Sequence, residues 1–231
     1  MNAIILAAGL GSRFKEITQK THKALLPIDN TPNIERTIQY LKQANINEIY
    51  IVTGHLSEQF DYLAEQYGCH LLYNAKYREY NSIYSFFTAK DYFSDSFVID
   101  SDVVLFKNIF LTKPEKSCYF VVQRPESEDK EWVPILTAEG KVEKIEVTNK
   151  HLPSLLGVSF WADEDCRKIK SVLPHYLDHN TLSQSSLYWD NIPMKQMKEL
   201  DVMTKEVALS DGYEMDNVIQ YEFILKSLAG N

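Results

Sequence analysis

The first residues of this chain, together with the glycines that follow them, constrain its fold more than any other stretch. Residues 2–8 form an apolar run, which is typical of a strand buried on both faces of a parallel sheet. The run ends at Gly9, and Gly11 follows two residues later. A buried strand that ends in a glycine-rich turn indicates an α/β protein, because parallel strands need long, usually helical, crossovers.

Strand and helix patterns alternate through the first 105 residues. Apolar runs predict further strands at 48–53, 70–73 and 96–105. Helices are predicted from Thr31, as a cap before Pro32, to about Ala44, then from Ser57 to Gly68 and over 82–93. This alternation predicts a doubly wound, mostly parallel, Rossmann-like sheet with right-handed crossovers.

The second half of the chain has a different pattern and predicts a smaller β/α part. Strands are expected at 119–123, 135–136, 141–147 and 155–161, with Glu139 and Gly140 as a hairpin turn. Helices are expected at 163–176, at 189–200 and after Asp216. We interpret residues 1–231 as a single domain whose two parts are 1–105 and 106–231.

Charge and cysteine usage exclude several classes of protein. The formal net charge is −8 and no basic run is interleaved with aromatic residues, which argues against nucleic-acid binding. Cys69, Cys118 and Cys166 form no CxxC pair, so we expect reduced thiols, a cytoplasmic protein and no structural zinc. The apolar N-terminal run is too short for a signal peptide or a membrane span, and no membrane association is expected.

The turn after the first strand carries an identifiable motif. Residues 6–13 read LAAGLGSR, and Lys23 lies ten residues after Arg13. The string matches neither the dinucleotide-binding GxGxxG motif nor the P-loop. Small residues let backbone N–H groups approach a phosphate or a base edge closely, and Arg13 adds a positive fork.

The whole string resembles the signature of the sugar-phosphate and polyol-phosphate nucleotidyltransferases. In that family the turn and the arginine wrap a triphosphate, and the lysine contacts the phosphate under attack. The resemblance implies nucleotide-binding roles for Leu6, Ala8, Gly9, Gly11, Ser12, Arg13 and Lys23. The family usually has Pro-Lys where this chain has His22 and Lys23, which leaves the local shape of the loop open.

Two aspartates close the strand predicted over 96–105. Asp100 and Asp102 are two residues apart, so they project the same way from an extended strand, and carboxylate oxygens suit Mg²⁺. The resemblance implies that Asp102 binds the metal and that Asp216 is the second metal carboxylate. Asp100 is expected to support the site. For Asp216 the alternative is a cap of the last helix.

The same resemblance implies the chemistry of the site. An acceptor phosphate oxygen attacks the α-phosphorus of a nucleoside triphosphate and pyrophosphate leaves. Lys23, Arg13 and Asp102 are the expected catalytic residues, because charge neutralisation and positioning are the main tasks. The sequence shows no Ser/His/Asp or Cys/His arrangement that would indicate a covalent intermediate.

The stretch from Tyr77 to Ser85, with the glycine turn and residues 214–217, resembles the bacterial CTP:phosphocholine cytidylyltransferases over nearly the whole chain. This resemblance implies CTP and phosphocholine as substrates and CDP-choline as the product. Asn81 and Ser82, at the entry to a predicted helix, are expected to read the pyrimidine edge. Alternatively Asn81 only caps that helix, and the two roles are compatible.

The tryptophans point to the kind of acceptor. A quaternary ammonium has no N–H to donate, so its site uses aromatic faces and a carboxylate. The residues expected to form this cage are Trp132, Tyr188, Trp189 and Asp190. Trp161 lies in an apolar strand and is a weaker candidate. Lys141, Lys144 and Lys150 are expected to be solvated, although one of them could reach the acceptor phosphate.

Four alternatives stay open on the sequence alone. The acceptor could be phosphoethanolamine or aminoethylphosphonate, since a primary amine is not excluded. The acceptor could also be a sugar 1-phosphate on the same scaffold. A catalytically silent, nucleotide-sensing subunit is the non-enzymatic alternative, and four retained charges argue against it: Arg13, Lys23, Asp102 and Asp216. A monomer and a homodimer are equally compatible with the sequence.

Overall fold

The computed structural model describes residues 1–229, and thirteen strands and seven α-helices lie within them. The strands are β1 (Asn2–Ala7), β2 (Pro27–Ile28), β3 (Thr31–Pro32), β4 (Ile49–Thr53), β5 (His70–Tyr73), β6 (Ser96–Asp100), β7 (Val103–Leu105), β8 (Ser117–Val122), β9 (Glu131–Leu136), β10 (Val142–Thr148), β11 (Ser154–Trp161), β12 (Val202–Val207) and β13 (Gly212–Glu214). The helices are α1 (Asn33–Gln43), α2 (Asp61–Tyr67), α3 (Ser82–Thr88), α4 (Asp163–Val172), α5 (His179–Leu182), α6 (Asn191–Lys195) and α7 (Val218–Ala229).

A seven-stranded sheet in the order β12-β8-β11-β6-β1-β4-β5 forms the centre of the molecule. Its pairs are parallel except those of β11, which runs antiparallel to β6 and to β8. The predicted mostly parallel, doubly wound sheet is therefore confirmed. Strands from both predicted parts of the chain share this one sheet, because β8, β11 and β12 follow residue 105.

The apolar run at the N-terminus is buried on both faces, as its composition predicts. Ala3, Ile5 and Ala7 contribute to the core on one face of the sheet, beneath α1 and α2. Ile4 and Leu6 contribute to the core on the other face, which also holds residues of α3 and α4. Side chains alternate across a strand, so an unbroken apolar run needs cover on both sides.

Three expectations about local structure are wrong. Thr31 and Pro32 form β3, paired with β2, and the helix begins only at Asn33, so Thr31 is not its cap. The strand predicted over 96–105 is interrupted after β6, and β7 pairs instead with β13 in a separate small sheet. The helix predicted over 189–200 is reduced to α6, where Pro193 and a short turn leave little regular structure.

The C-terminal helix brings the end of the chain back to its beginning. Ile224 of α7 and Met215 are buried in a third cluster with Phe14, which follows the glycine turn. This packing places Asp216 beside Arg13, although the two residues are far apart in the sequence. Among residues 1–229, no helix has the length and apolar character that crossing a bilayer would require.

Candidate active site

The predicted functional residues gather at the carboxyl ends of β1 and β6, which are neighbours in the sheet. The glycine turn follows β1, and Asp100 ends β6. Ligands collect at this edge of an open α/β sheet. Tertiary structure thus joins two motifs that the sequence separates by about ninety positions.

The conformation of the glycine turn is stabilised by contacts between Gly11 and Thr18. Gly11 has φ of 62°, a left-handed conformation that favours glycine. The hydroxyl of Thr18 donates to the Gly11 carbonyl at 2.9 Å, and a Cβ at Gly11 would lie 2.9 Å from Thr18 Cγ2. The turn therefore needs glycine both for its backbone angle and for its packing.

His22 replaces the proline that is usual before the lysine, and the structure gives it a defined role. Its side chain is buried, with Nδ1 accepting from Ala24 N–H at 3.1 Å and Nε2 lying 3.1 Å from the Gly9 carbonyl. Burial, and next the charge of Lys23, lower the pKa of His22 to about 4. The neutral imidazole therefore donates from Nε2 and ties the glycine turn to the lysine turn.

Lys23 and Asp102 form an ion pair with 2.5 Å between Nζ and Oδ2. Both side chains are mostly buried, with 16% and 17% exposure. Burial alone would lower the pKa of Lys23, but the charge and hydrogen bond of Asp102 outweigh it, so the pKa is raised. The lysine is therefore a fixed positive charge at the end of β6.

Arg13 and Asp216 form a second ion pair, with 2.6 Å between Nη2 and Oδ1. The alternative that Asp216 caps the last helix is not supported, because Gln220 N–H donates to the side chain of Asn217. Burial, and next the charge of Asp102, raise the pKa of Asp216. The two carboxylates predicted to bind metal therefore lie near each other, and each is neutralised by a predicted phosphate-binding cation.

The donor set of this site fits Mg²⁺ in chemistry. Asp102 and Asp216 supply the hard carboxylate oxygens that the ion prefers. Within residues 1–229, no three His, Cys, Asp or Glu side chains already converge as a ready metal site. This agrees with the ion pairs, because each carboxylate is held by a cation. The metal-binding role of the two aspartates stays a prediction.

Sequence reasoning missed Glu214 and Arg124, which form an ion pair beside the aspartates. Burial, despite the charge of Arg124, raises the pKa of Glu214 to about 8. The backbone of Gly157 passes so close that a Cβ there would lie 3.2 Å from Glu214 Oε1. A usable signal was present, because Glu214 precedes Asp216 by two residues, as Asp100 precedes Asp102.

Asp100 ends β6, two residues before Asp102. Burial, followed by the negative charges of Asp102 and Asp190, raises the pKa of Asp100 well above its ordinary value. Asp102 is the carboxylate in contact with Lys23. The main role of Asp102, and a supporting or structural role of Asp100, stay predictions.

A cavity of about 420 Å³ lies on one side of this charged cluster. Its walls include five of the predicted nucleotide-binding residues of the N-terminal motif, namely Leu6, Ala8, Gly9, Arg13 and Lys23. Gly11 and Ser12 lie in the turn but do not line the cavity. Residues 77–82 also line it, so the structure brings together the two segments that are predicted to bind the nucleotide.

Asn81 and Ser82 line this cavity, and their polar atoms already have partners. Asn81 accepts from Ile83 N–H at 3.1 Å as the cap of α3. Its amide nitrogen donates to the carbonyl groups of Thr181 and Gln184. Ser82 accepts from Trp189 N–H at 3.0 Å. The capping alternative is thus realised, and reading of the base by these side chains stays a prediction.

A second cavity, of about 520 Å³, lies on the other side of the cluster. Trp132 and Tyr188 face it, with their rings 5.7 Å apart and nearly perpendicular. Asp190 also lines it, and burial raises the pKa of that carboxyl to about 7. Trp132, Tyr188 and Asp190 therefore lie where an acceptor cage is predicted.

Trp189 contributes less to this cavity than the sequence suggests. Only 2% of the residue is exposed, and its ring stacks on Phe86 and meets Trp161 edge to face. Trp189 is therefore mainly a core residue that offers a small part of its surface. Trp161 is fully buried, in agreement with its position in an apolar strand.

The lysine that lines the second cavity is none of the three that were considered from the sequence. Lys144 and Lys150 pair with Glu146, and Lys141 lies near Asp201. None of these three lines the cavity, whereas Lys130 does. Lys130 lies in the loop between β8 and β9, and no sequence motif marks it.

The two cavities share a wall at the charged cluster. The residues that line both are Arg13, Ser82, Asp100, Asp102 and Tyr188. A nucleotide in the first cavity and an acceptor in the second would therefore meet beside Asp102. The site thus has a glycine turn, a fixed lysine and paired carboxylates between two cavities. This arrangement is the one expected of a nucleotidyltransferase.

Comparison with known proteins agrees with this class. Residues 3–137 match the family model of the MobA-like NTP transferase domain. The solved structure of CTP:phosphocholine cytidylyltransferase from Streptococcus pneumoniae superposes with a TM-score of 0.93 at 41% identity, covering 98% of both chains. The fold and the site therefore place this protein among the nucleotidyltransferases.

Curated relatives narrow the assignment. The choline-phosphate cytidylyltransferase of Haemophilus influenzae is 54% identical over 100% of this chain and 99% of its own. That of Streptococcus pneumoniae is 43% identical over 98% of this chain and 99% of its own. The chain therefore belongs to the family of bacterial choline-phosphate cytidylyltransferases.

Proposed function

We propose that this protein is a Mg²⁺-dependent enzyme that forms CDP-choline and pyrophosphate from CTP and phosphocholine. The observation that carries the proposal is the shared wall of the two cavities at Asp102. The first cavity is lined by the phosphate-binding turn, and the second by an aromatic pair with a carboxylate. Family membership, with 54% and 43% identity to choline-phosphate cytidylyltransferases, supports the same substrates.

The residues of the site are suited to an in-line displacement. An oxygen of the acceptor phosphate attacks the α-phosphorus, a new P–O bond forms, and the bond to the bridging oxygen of the leaving pyrophosphate breaks. The attacking oxygen is already ionised near neutral pH, because the second pKa of a phosphate monoester is about 6. No general base is therefore required from the chain.

Charge neutralisation is the main contribution of the protein. Lys23 is held protonated by Asp102, so it can neutralise charge on the α-phosphate as the displacement proceeds. Arg13 is 63% exposed and is free to leave Asp216 for the triphosphate, where it would hold the pyrophosphate. A bound Mg²⁺, held by Asp102 and Asp216, would add positive charge beside the same oxygens.

The second cavity favours a quaternary ammonium. Trp132 and Tyr188 offer ring faces, which attract a cation without requiring N–H donors. Asp190, Glu131 and Asp129 supply carboxylates around the same space. The carboxylates would also suit a primary amine, so phosphoethanolamine and aminoethylphosphonate are the acceptors against which choline selectivity has to be measured.

Pyrophosphate release by the purified protein tests the proposal. The four NTPs are each combined with phosphocholine, phosphoethanolamine, aminoethylphosphonate and glucose 1-phosphate, with Mg²⁺ and with EDTA. We expect strong release only with CTP, phosphocholine and Mg²⁺. Release with an amine acceptor or a sugar phosphate would contradict phosphocholine as the specific acceptor. Release in EDTA would contradict the dependence on Mg²⁺. CTP binding without release under any condition would favour the nucleotide-sensing alternative.

A further inference from the structure

Asn33 is buried at the interruption between β6 and β7. It is the first residue of α1, and 1% of it is exposed. Its side-chain nitrogen Nδ2 donates to the carbonyl oxygen of Val103 at 2.8 Å and lies 3.4 Å from that of Ser101. These two carbonyl groups flank Asp102 in the chain. One amide group is therefore bonded to the backbone on both sides of the candidate metal aspartate.

The backbone around Asp102 depends on such contacts because the sheet is interrupted there. Ser101 N–H donates to the Leu6 carbonyl at 3.3 Å, and the Asp102 carbonyl accepts from Met215 N–H at 2.9 Å. The two carbonyl groups on either side receive their donor from Asn33. Buried backbone carbonyls are nearly always bonded, so the Asn33 amide replaces the neighbouring strand at this point.

Asn33 is also tied to the turn that carries Lys23. Its backbone N–H donates to the Leu26 carbonyl at 3.1 Å, and Leu26 N–H donates to the Lys23 carbonyl at 3.2 Å. The same residue therefore contacts the segments that carry both partners of the Lys23–Asp102 ion pair. A rotation of either backbone segment would change the 2.5 Å contact between them.

The side-chain oxygen of Asn33 makes no comparable contribution. Oδ1 is buried and has no hydrogen-bond partner among the described residues. A buried acceptor without a partner destabilises the folded state. Packing alone would be served by an apolar side chain of similar volume, so the useful property of Asn33 is its pair of N–H donors.

We propose that Asn33 is a positioning residue that sets the Asp102 carboxylate for metal binding and for its contact with Lys23. The inference rests on the proposed function, because it assigns Asn33 an effect on a metal-dependent reaction. Residues that orient a metal ligand typically change metal affinity or activity by about 10- to 100-fold when removed. Asn33 acts through the backbone of its neighbours and touches no substrate.

The test compares Asn33→Ala with Asn108→Ala. Asn108 has a similar set of bonds, with Nδ2 donating to the Tyr40 carbonyl at 2.9 Å and Oδ1 accepting from Phe110 N–H at 3.0 Å. It lines neither cavity. The readouts are the thermal midpoint, kcat, the KM for phosphocholine, and the Mg²⁺ concentration that gives half of the CTP-dependent thermal stabilisation.

We expect Asn33→Ala to raise the half-saturating Mg²⁺ concentration and to lower kcat, each by about ten-fold or more, with the KM for phosphocholine within about two-fold of wild type. Asn108→Ala should change only the thermal midpoint. Equal losses of stability in both variants, with Mg²⁺ dependence and kcat unchanged, would show that Asn33 is merely structural. If Asn33→Ala does not fold, Asn33→Leu, which keeps the branching at Cγ with a larger side chain and no N–H donors, decides between the same outcomes. If the kcat and the CTP-dependent stabilisation of the wild-type protein do not depend on Mg²⁺, the proposed function itself is contradicted.

Discussion

At the scale of single residues, the charges of the site neutralise one another in the absence of substrate. Lys23 pairs with Asp102, and Arg13 pairs with Asp216. Partly buried charges need such partners because desolvation is costly. The phosphates of a nucleotide would offer the two cations new partners, so nucleotide binding and the release of the carboxylates are linked.

Lys23→Ala should lower kcat by about 10²-fold or more, the scale of losing one preorganised charge contact in a transition state. The measurement is steady-state kinetics with CTP and phosphocholine varied separately. Lys20→Ala is the control, because Lys20 is exposed and lines neither cavity. A rise in KM with unchanged kcat would mean that Lys23 contributes only to substrate binding.

His22 gives the chain a pH dependence of stability in the acid range. Its pKa falls from 6.5 to about 4 on folding, chiefly through burial, so the unfolded chain binds the proton more readily than the folded chain. The free energy of unfolding therefore decreases as the pH falls from about 6.5 towards 4, and this contribution is complete above that range. At about 1.4 kcal/mol for each unit of pKa, this lowering corresponds to at most about 3.5 kcal/mol.

His22→Asn should weaken this pH dependence. Asparagine can still accept from Ala24 N–H as a cap, but it does not titrate. We expect the variant to lose less stability than wild type between about pH 6.5 and 4.5, as measured by urea unfolding at a series of pH values. Parallel curves for the two proteins would contradict the lowered pKa.

At the scale of the elements, the segment between α5 and α6 divides its aromatic residues between two tasks. Tyr188 is 46% exposed and faces the acceptor cavity, whereas Trp189, next in the chain, is buried against Phe86. Adjacent residues of an irregular segment can point to opposite sides. The aromatic pair that lines the second cavity is therefore Trp132 with Tyr188, from β9 and from this segment, and its role in acceptor binding stays a prediction.

Trp132→Ala and Trp189→Ala should have different effects. Trp132→Ala is expected to raise the KM for phosphocholine by about ten-fold with little change for CTP, the scale of one cation–π contact. Trp189→Ala removes a core side chain and should cost about 3–5 kcal/mol of stability. Kinetics and thermal unfolding of both variants separate the two roles. Equal effects of Trp132→Ala on both substrates would indicate a packing role for Trp132.

The turn after the glycine motif stores backbone strain at Lys15. This residue has φ of 54° and ψ of −119°, a conformation that glycine adopts far more readily than lysine. Lys15→Gly should therefore raise the free energy of unfolding by about 1 kcal/mol. Lys20→Gly is the matched control, because its φ of −111° and ψ of −36° need no glycine. Equal destabilisation of both variants in urea would contradict the strain.

At the scale of the whole molecule, the site is closed by contacts between the two ends of the chain. Arg13 meets Asp216, and Phe14 packs with Met215 and Ile224 of the C-terminal region. A ligand that binds between these segments stabilises the folded state as a whole. Binding at a hundred-fold excess over Kd contributes about 2.7 kcal/mol.

Mg²⁺ and CTP should therefore stabilise the protein together more than separately. Mg²⁺ alone is expected to leave the thermal midpoint almost unchanged, because Arg13 and Lys23 hold the carboxylates. CTP with Mg²⁺ should raise the midpoint by several degrees in a thermal shift assay. In Asp216→Asn the added effect of Mg²⁺ should be lost. An equal shift with Mg²⁺ alone would show that the ion pairs do not restrict metal binding.

The sequence by itself determined strands β1, β4 and β5 of the N-terminal half and the position of the glycine turn predicted to bind nucleotide. These features depend on local signals, namely an apolar run between glycine turns and a short motif of small and charged residues. The motif and the strand end that carries Asp102 also identified Lys23 and Asp102 as candidate site residues, although not their mutual contact. The resemblance to the bacterial CTP:phosphocholine cytidylyltransferases then indicated phosphocholine as the acceptor.

Only the tertiary structure decided which of these residues meet and what their polar atoms do. Arg124 and Lys130 carry no local motif, and they reach the site with Glu214 because β8, β9 and β13 end or begin at its edge. The interruption after β6 was also missed, because the apolar residues on both sides of Asp100, Ser101 and Asp102 give the whole stretch the pattern of one strand. Hydrogen bonds from Asn33 and the pairing of β7 with β13 join residues that are far apart in the sequence. Local patterns of apolar and polar residues do not predict such long-range contacts.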